Sequence, residues 1–327
     1  MKEIEIGKNG AGMRFDKYLK KVLKLAPSGF IYKMLRKKNI TLDGRKAMGN
    51  ELLSQGSKVQ FFLSDETFKK FSEDGQERTF ASHRLDILYE DEDIILINKE
   101  SGMLVQQSNS KEDSISEFLV SYLLAEGGLN RTELASFRPS PVNRLDRNTS
   151  GIVLCGKTAE GLRFLSEVLR SRSLRKDYLV LAKGESGISG RRTAYLKKNA
   201  ETNLVCITED EIPGSEKIVT EFIPLSSSKG FTLYSAGLIT GKTHQIRAHL
   251  SFLGYPVAGD PKYGNAAVNH ELKAAYGLSR QFLHSYKVGF SEISKEKFGY
   301  MSGRVFCAPL PQDLKKVLNG LGFSAVF

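Results

Sequence analysis

A single carboxylate close to two arginines is the group in this chain best suited to catalysis. Asp146 lies between Arg144 and Arg147 in the stretch 143–151, which reads Asn-Arg-Leu-Asp-Arg-Asn-Thr-Ser-Gly and leads into an apolar run at 151–155. Such neighbouring charges are typical of a carboxylate that must stay ionised in a closed site. The same pattern also occurs in loop acids that their neighbours merely neutralise. The stretch alone therefore leaves both interpretations open.

A second candidate segment, residues 240–250, reads Thr-Gly-Lys-Thr-His-Gln-Ile-Arg-Ala-His-Leu. It is not a phosphate-binding P-loop, because Ala236 stands where that loop requires its first glycine and Gly237 is one residue too close. The pattern instead predicts a turn and a helix that begins near Thr243. The polar side chains that this helix would offer to a cleft are Gln245, Arg247 and His249.

Strands outnumber helices in the second part of the chain, and this pattern predicts an α+β fold with a mostly antiparallel mixed sheet. A run of strands with few intervening helices is not typical of a doubly wound parallel sheet. One helix is expected at 112–126, and Thr158 is expected to cap another. The predicted strands are two within 85–98 and one each at about 151–155, 176–182, 192–198, 203–208, 217–224 and 231–239.

The positive charge is concentrated in the first fifth of the chain. Residues 1–63 hold 14 Lys and Arg against 5 Asp and Glu, and the whole chain has a net charge of +11. Such a module is expected to bind a polyanion, most often nucleic acid, although a basic solvated face would have the same composition. The cations expected to contact the polyanion are Arg14, Lys17, Lys33, Arg36, Lys37, Lys38 and Arg45.

Two helices and a hairpin are predicted within this basic module. Apolar residues at helical spacing predict a helix over 14–25, and Ser28 is expected to cap a second helix. A strand at 40–42 leads into the Asp43-Gly44 turn of a tight hairpin, and a further strand is expected at 58–63.

The composition divides the chain into a small basic α/β module at 1–63, a polar linker at 64–80 and a main domain at 81–327. No apolar stretch is long enough to cross a bilayer, and the N-terminus lacks the apolar centre of a secretory signal, so we expect a cytoplasmic protein. The three cysteines and five histidines have no metal-ligand spacing, so we expect no metal site.

Several segments, in their order along the chain, resemble the RluA-type pseudouridine synthases, which modify RNA. The stretch 143–151 is similar to the family's His-Arg-Leu-Asp-x-x-Thr-Ser-Gly signature, and 240–247 is similar to its Thr-Gly-Arg-Thr-His-Gln-Ile-Arg segment. The basic module resembles the S-four RNA-binding domain, a usual companion in the large-subunit ribosomal RNA branch of that family. Further matching segments are Lys176 with Tyr178, Tyr89-Glu90-Asp91, 94–99, 254–261, Tyr263-Gly264 and Leu283-His284.

The resemblance implies a role for each matching residue. Asp146 would attack the target uridine, at the anomeric carbon or at the uracil ring, or would stabilise a transient glycal. Arg247 would be its cationic partner. Tyr178 would lie against the base, and in the glycal route could abstract a ribose proton. Arg144, or the loop at 131–140, would fill the stack that the flipped uridine leaves. Further RNA contacts are expected from Lys242, His244 and Gln245.

Three positions depart from the family pattern. Asn143 replaces the usual His, Lys242 replaces the usual Arg, and Lys99-Glu100 replaces a common Lys-Pro. Asparagine can still form hydrogen bonds and lysine can still pair with phosphate, so we expect activity to persist.

These features together predict an RNA pseudouridine synthase that needs no cofactor or metal and acts as a monomer, with 23S ribosomal RNA or a large-subunit precursor as its substrate. The same reaction on tRNA or another structured RNA is a close alternative. A non-catalytic RNA-binding ribosome assembly factor is an alternative of another class. The intact set of Asp146, Tyr178 and Arg247 favours the enzyme, because a binding protein has no need of all three.

Overall fold

The computed structural model describes residues 1–72, 83–107, 112–130, 133–185, 187–199, 204–294 and 296–323. Its first part is a small unit of helices on a sheet. The elements of this unit are β1 (Lys2–Glu5), α1 (Phe15–Val22), α2 (Ser28–Arg36), β2 (Ile40–Leu42), β3 (Arg45–Lys46), β4 (Lys58–Phe61) and α3 (Asp65–Phe71).

The N-terminal sheet is antiparallel and has the order β1-β4-β2-β3. The predicted hairpin is confirmed, with Asp43 and Gly44 at φ values of 49° and 73°, as a tight two-residue turn between β2 and β3 requires. The apolar faces of both helices pack on this sheet, so the basic side chains are left on the outside.

Two predictions about this unit are wrong. Ser28 does not cap α2, because it is already the first helical residue and Pro27 precedes it as the cap. The predicted linker 64–80 begins with α3, which Ser64 caps by accepting a hydrogen bond from the amide of Thr67. Phe68 of α3 packs in the core of the unit, which therefore extends at least to residue 72. Residues 73–80 of the predicted linker lie outside the described residues.

The remaining elements build the larger part of the protein. The predicted helices at 112–126 and after Thr158 are confirmed, as are the predicted strands. These elements are β5 (Ile87–Glu90), β6 (Ile94–Lys99), α4 (Ile115–Ala125), β7 (Ser140–Pro141), β8 (Ser150–Gly156), α5 (Ala159–Arg170), β9 (Leu174–Lys183), β10 (Gly190–Lys198), β11 (Val205–Thr208), β12 (Glu216–Ser228), β13 (Phe231–Leu238), α6 (Gln245–Phe252), α7 (Ala266–Tyr276), β14 (Leu283–Phe290), β15 (Val305–Cys307) and α8 (Gln312–Gly320).

These strands form, within the described residues, one sheet of eleven strands. Its main path runs β11-β10-β12-β13-β9-β14-β8-β6-β5, with β7 paired to β8 and β15 paired to β14. Every pair is antiparallel except β8 with β14, which is parallel. The fold is therefore α+β with a mostly antiparallel mixed sheet, as predicted.

The central strands are buried on both faces, so each contributes side chains to two cores. On one face Ile95, Val153 and Tyr178 pack with α4 and α6. On the other face, alternate residues of the same strands pack with α5, and Leu179 packs with α7 and α8. The face that carries Tyr178, α4 and α6 is the one on which the candidate site lies.

Candidate active site

The loop that carries Asp146 is fixed by hydrogen bonds to its backbone carbonyl groups. Lys99 donates from Nζ to the carbonyl oxygen of Arg147 at 3.0 Å, and the Gly102 amide donates to the same oxygen at 2.9 Å. Arg280 donates from Nη1 to the carbonyl oxygen of Asn148 at 3.1 Å. Two cations from other elements thus hold the backbone that follows Asp146.

Lys99 is almost completely buried, which is unusual for a lysine. Its ammonium donates three hydrogen bonds to carbonyl oxygens, those of Glu100, Met103 and Arg147. Burial, and secondarily the charge of Arg280, lower the pKa of Lys99 to about 7, while the charge of Asp146 opposes this shift. Glu100 stands where the family commonly has Pro, and in this chain Lys99 anchors the turn through these hydrogen bonds.

Gly151, at the start of β8, is required by the close parallel pairing of β8 with β14. Its φ is 110°, and a Cβ atom there would lie 2.2 Å from the carbonyl oxygen of Ser285. A side chain at this position would force the two strands apart just beyond Asp146.

Asp146 forms its ion pair with Arg247, a residue 101 positions away in the sequence. Arg247 Nη1 donates to Oδ2 of Asp146 at 2.8 Å. The side chain of Asp146 is 26% exposed and that of Arg247 is 5% exposed, so a partly exposed acid pairs with a buried cation. Arg144 and Arg147, its neighbours in sequence, do not pair with Asp146 within the described residues. Arg147 pairs with Glu112, and Arg144 is exposed.

Asp260 holds the guanidinium of Arg247 from the other side. Arg247 donates from Nε to Asp260 Oδ2 at 2.7 Å and from Nη2 to Oδ1 at 2.8 Å. The Asp260 side chain is fully buried and also accepts hydrogen bonds from the amides of Lys262 and Tyr263. Burial disfavours the charge of Arg247, but the hydrogen bonds and charges of Asp260 and Asp146 outweigh burial and raise its pKa.

Tyr178 lies in β9 on the face that carries this network. Its side chain is buried, and β9 pairs at this residue with Ser285 of β14. Burial, together with the nearby charge of Asp146, raises the pKa of Tyr178 to about 12. The phenol is therefore protonated at neutral pH. The structure thus brings together Asp146, Tyr178 and Arg247, the three residues predicted to be catalytic.

Two residues expected to face the cleft do not do so. Gln245 is buried, and its side-chain amide bonds to Thr240, Thr220 and backbone groups of the preceding turn and of β12. These bonds fix the turn at the start of α6 and hold the side chain inside the protein, so its contact with RNA stays a prediction. His249 is also buried, with Nδ1 3.1 Å from Thr220 Oγ1. Only Arg247 of the three predicted side chains in α6 reaches Asp146.

Asn143, the departure from the family's usual His, has a structural explanation. Its Oδ1 accepts a hydrogen bond from the Leu154 amide at 2.8 Å, and its Nδ2 donates to the carbonyl oxygen of Ile152 at 3.2 Å. Asparagine therefore ties the loop before Asp146 to β8 and satisfies both functions of its amide.

The remaining predicted RNA contacts lie in two places. Lys242 and His244 lie in the turn before α6, where Lys242 pairs with Glu216 and His244 faces Asp146. In the N-terminal unit Arg14 pairs with Asp16 at 3.0 Å. The other six are exposed and have no ion pair within the described part of the chain; they are Lys17, Lys33, Arg36, Lys37, Lys38 and Arg45.

The roles of Asp260 and Arg280 were not predicted from the sequence. Asp260 belongs to the matched segment 254–261, but nothing in its spacing identifies Arg247 as its partner. A fully buried carboxylate needs a cationic partner, and the burial of Asp260 is known only from the structure. In the described part of the chain no group of three or more His, Cys, Asp or Glu residues is arranged to hold a metal ion, and no helix is long and apolar enough to span a membrane.

Comparisons with known proteins agree with this geometry. A family model described as RNA pseudouridylate synthase matches residues 93–252, which include Asp146, Tyr178 and Arg247. A ribosomal large subunit pseudouridine synthase C of Haemophilus ducreyi is 30% identical over 326 residues, covering 97% of this chain and 94% of that protein.

Two further proteins extend the comparison. An uncharacterized RNA pseudouridine synthase of Mycoplasma genitalium is 30% identical over 297 residues and 90% of each chain. The solved structure of human RNA pseudouridylate synthase domain containing 4 has the same fold, with a TM-score of 0.57 at 20% identity over 72% of this chain and 92% of that one. From near full-length similarity, the matched family model and the shared fold, the chain belongs to the RluA-type RNA pseudouridine synthases, which are isomerases that act on RNA.

Proposed function

We propose that this enzyme converts specific uridines of 23S ribosomal RNA, or of a large-subunit precursor, to pseudouridine, with Asp146 as the catalytic residue. The observation that carries the proposal is the network of Asp146, Arg247 and Asp260, in which the partly exposed carboxylate of Asp146 pairs with a buried guanidinium that Asp260 also holds. The reaction breaks the bond from uracil N1 to the ribose C1′ and forms one from C5 to C1′. The C5 proton leaves, and N1 gains a proton.

Arg247 gives Asp146 a fixed direction. It donates to Oδ2 of Asp146 at 2.8 Å, while Oδ1 has no hydrogen bond within the described residues and lies 4.0 Å from Nε2 of His244. An ionised oxygen held in this way can attack the ribose or the base, or can stabilise a glycal, in each case without a redox equivalent. Because Asp260 fixes two other nitrogens of the same guanidinium, Arg247 cannot turn away when the substrate enters.

Tyr178 is proposed to contact the uracil base rather than to remove a proton. Its raised pKa of about 12 leaves the phenol protonated at neutral pH, so it is a poor base there. An aromatic side chain beside a flipped base can hold the base by stacking or edge contacts.

Base flipping must leave a gap in the RNA stack, and we propose that Arg144 occupies it. The side chain of Arg144 is exposed two residues before Asp146, and it has no ion pair or hydrogen bond within the described residues. A planar guanidinium can stack on the neighbouring bases while its charge pairs with phosphate. Residues 131 and 132 of the loop that could share this role lie outside the described residues.

The N-terminal unit is proposed to bind the same RNA. The six exposed cations named above would contact phosphates, which supply affinity without sequence information. The Haemophilus ducreyi relative, whose name specifies the ribosomal large subunit, aligns over 97% of this chain and so includes this unit. The name of that relative favours 23S ribosomal RNA over tRNA as the proposed substrate. The proposed substrate places the enzyme in the cytoplasm with the ribosome precursors, and we propose that it acts as a monomer.

The substrate is tested with purified protein and three unmodified transcripts, those of 23S ribosomal RNA, 16S ribosomal RNA and tRNA, each labelled with tritium at uridine C5. Formation of the carbon glycoside releases that tritium to water. We expect release from the 23S transcript alone. Release from tRNA instead would favour the alternative substrate, and release from none of them, with binding intact, would favour the non-catalytic assembly factor.

A further inference from the structure

His244 lies immediately before α6 in a backbone conformation that few side chains adopt. Its φ is 55° and its ψ is 17°, in the left-handed region. This conformation directs the imidazole between two other residues of the site. Nδ1 lies 2.9 Å from the Tyr263 hydroxyl, and Nε2 lies 4.0 Å from Oδ1 of Asp146.

The hydrogen bonds of Tyr263 favour one tautomer of His244. The Tyr263 hydroxyl oxygen accepts a hydrogen bond from the Val205 amide at 3.0 Å. Nδ1 of His244 lies 2.9 Å from the same hydroxyl group and, within the described residues, is the acceptor available to its proton. We assign the hydroxyl proton to this bond, which places the proton of the neutral ring on Nε2, the nitrogen that faces Asp146.

The groups around the ring keep it uncharged. Burial is the largest effect and lowers the pKa of His244, and the charges of Arg247 and Lys262 act in the same direction. Asp146 and Asp260 oppose them without reversing the shift. Tyr263, whose own pKa is raised mainly by burial, is neutral as well. His244 therefore approaches Asp146 as a dipole and not as a cation.

We propose that His244, held by Tyr263 as the neutral tautomer protonated at Nε2, is a positioning residue that orients the free oxygen of Asp146. This inference rests on the proposed catalytic role of Asp146. Arg247 restrains Oδ2, and an N–H dipole near Oδ1 limits rotation of the carboxylate plane. At 4.0 Å the donor is too far to form a hydrogen bond that would compete with the substrate. A charged imidazole would instead pair with Asp146 and reduce its reactivity.

The Tyr263 ring connects this arrangement to Arg247. The guanidinium carbon of Arg247 lies 5.3 Å from the centre of the Tyr263 ring, within the range of a cation–π contact. One tyrosine therefore fixes the tautomer of His244 and supports the partner of the other carboxylate oxygen. Phenylalanine at this position would keep the ring contact and remove only the hydroxyl group.

The first test compares His244→Gln with His244→Asn. The glutamine amide nitrogen can occupy a place close to Nε2, whereas the shorter asparagine amide reaches only the place of Nδ1. Asparagine tolerates the left-handed backbone better, so strain works against the expected order. In steady-state assays of tritium release, we expect kcat to fall about tenfold further for His244→Asn than for His244→Gln, with KM changed by less than about threefold in both.

The second test uses Tyr263→Phe and the dependence of kcat on pH. Without the phenol proton, Nδ1 can take a proton from solvent, and we expect activity to fall at a pH about one unit higher on the acidic side than in the wild type. The double variant His244→Asn, Tyr263→Phe should not show this shift, because the titrating ring is absent.

Two results would overturn the inference: equal kcat values for His244→Asn and His244→Gln, or a pH profile of Tyr263→Phe that superimposes on that of the wild type. Either result, obtained with an active wild-type enzyme, rejects the role of His244 alone. A wild type that releases no tritium from any RNA rejects the proposed function first. The two failures are therefore distinguishable.

Discussion

At the scale of single residues, the site consists of charges that fix one another. Asp146 is held by Arg247, and Arg247 is held by Asp260, which is fully buried. A buried carboxylate with a bidentate guanidinium partner is costly to break, because removing either charge leaves the other without compensation. The direction of the Asp146 carboxylate is thus set by Arg247 and, through it, by Asp260.

Asp260→Asn is expected to reduce kcat by about 10- to 100-fold while leaving KM nearly unchanged, because Arg247 loses its fixed orientation. We also expect the free energy of unfolding to fall by about 3 kcal/mol, because the buried Arg247 loses its bidentate partner and keeps only the partly exposed Asp146. Both quantities are measurable by steady-state kinetics and urea unfolding.

The matched control for Asp260→Asn is Glu160→Gln, which removes a carboxylate from the half-exposed pair of Glu160 with Lys297. That variant should change neither kcat nor stability appreciably. If kcat and stability of Asp260→Asn matched those of Glu160→Gln, the pairing of Asp260 with Arg247 would have no catalytic significance.

The sequence identified Asp146 and Arg247 through a family resemblance, and the structure brings them into contact. Reasoning from sequence neighbours alone failed, since Arg144 and Arg147 do not neutralise Asp146. Gln245 and His249 were misassigned because helical spacing predicts which residues share a face but not which neighbouring element covers that face. Asp260 was not identified, because ion pairs between distant segments leave no local pattern.

At the scale of secondary structure, the site depends on strands that approach one another closely. The predicted strands and the hairpin at Asp43-Gly44 could be found from alternation and turn residues, which are local signals. The helix α3 could not, because Asp65–Phe71 is mostly polar and its single fully buried residue, Phe68, gives no periodicity. Its position is decided by packing against the N-terminal core.

Gly151→Ala is expected to destabilise the protein by roughly 3 kcal/mol, because the new methyl group would overlap the carbonyl oxygen of Ser285 and φ is strained. Gly289→Ala is the control, because Gly289 lies on β14 where that strand pairs with β9 and β15 and not with β8. A Cβ atom there meets only Val305 at 3.7 Å, so this variant should lie within about 1 kcal/mol of the wild type. Equal unfolding midpoints for the two variants would contradict the close approach of β8 and β14.

His249 makes α6 sensitive to acid. Its pKa is lowered to about 4, mainly by burial, so the native state resists protonation while the unfolded chain accepts a proton below about 6.5. Between pH 6.5 and pH 4 the unfolded state therefore binds more protons than the native state. The free energy of unfolding must decrease as the pH is lowered through this window. The expected loss from His249 is about 2 kcal/mol between pH 7 and pH 5.

His249→Phe is expected to remove this share of the acid sensitivity. His270→Gln, which changes an exposed histidine, should retain it. Urea unfolding of both variants at pH 7 and pH 5 measures the difference. His284 has a similarly lowered pKa of about 4, so some acid sensitivity remains in either variant. An unchanged pH dependence in His249→Phe would show that His249 is not buried in its neutral form.

At the scale of the whole molecule, the cations expected to give affinity for RNA lie apart from the residues proposed to catalyse the reaction. The exposed cations of the N-terminal unit lie on its outer surface, whereas the catalytic network lies on one face of the large sheet. Several polar contacts join the two parts. Asn9 accepts a hydrogen bond from the Ala159 amide at the start of α5, and Lys21 donates to the Ser136 carbonyl oxygen. The division into two parts could be predicted from the distribution of charge along the sequence. The contacts between the parts could not be predicted.

The double variant Lys33→Gln, Lys37→Gln is expected to weaken RNA binding and to reduce the slope of log Kd against log salt concentration by about 1 to 2, since two phosphate contacts are lost. The control is Lys315→Gln, Lys316→Gln on α8, a helix that packs on the sheet face opposite Tyr178. Filter binding at several salt concentrations distinguishes the two. An identical slope for both double variants would exclude this surface as a phosphate contact.

The carboxylate of Asp146 is proposed to be the group that performs the isomerisation. Asp146→Asn keeps the size of the side chain and removes the charge. Tritium release from 23S ribosomal RNA labelled at uridine C5 should fall below about one thousandth of the wild-type rate, while RNA binding stays within about threefold. An Asp146→Asn protein that still forms pseudouridine at a rate close to that of the wild type would contradict the catalytic role of Asp146.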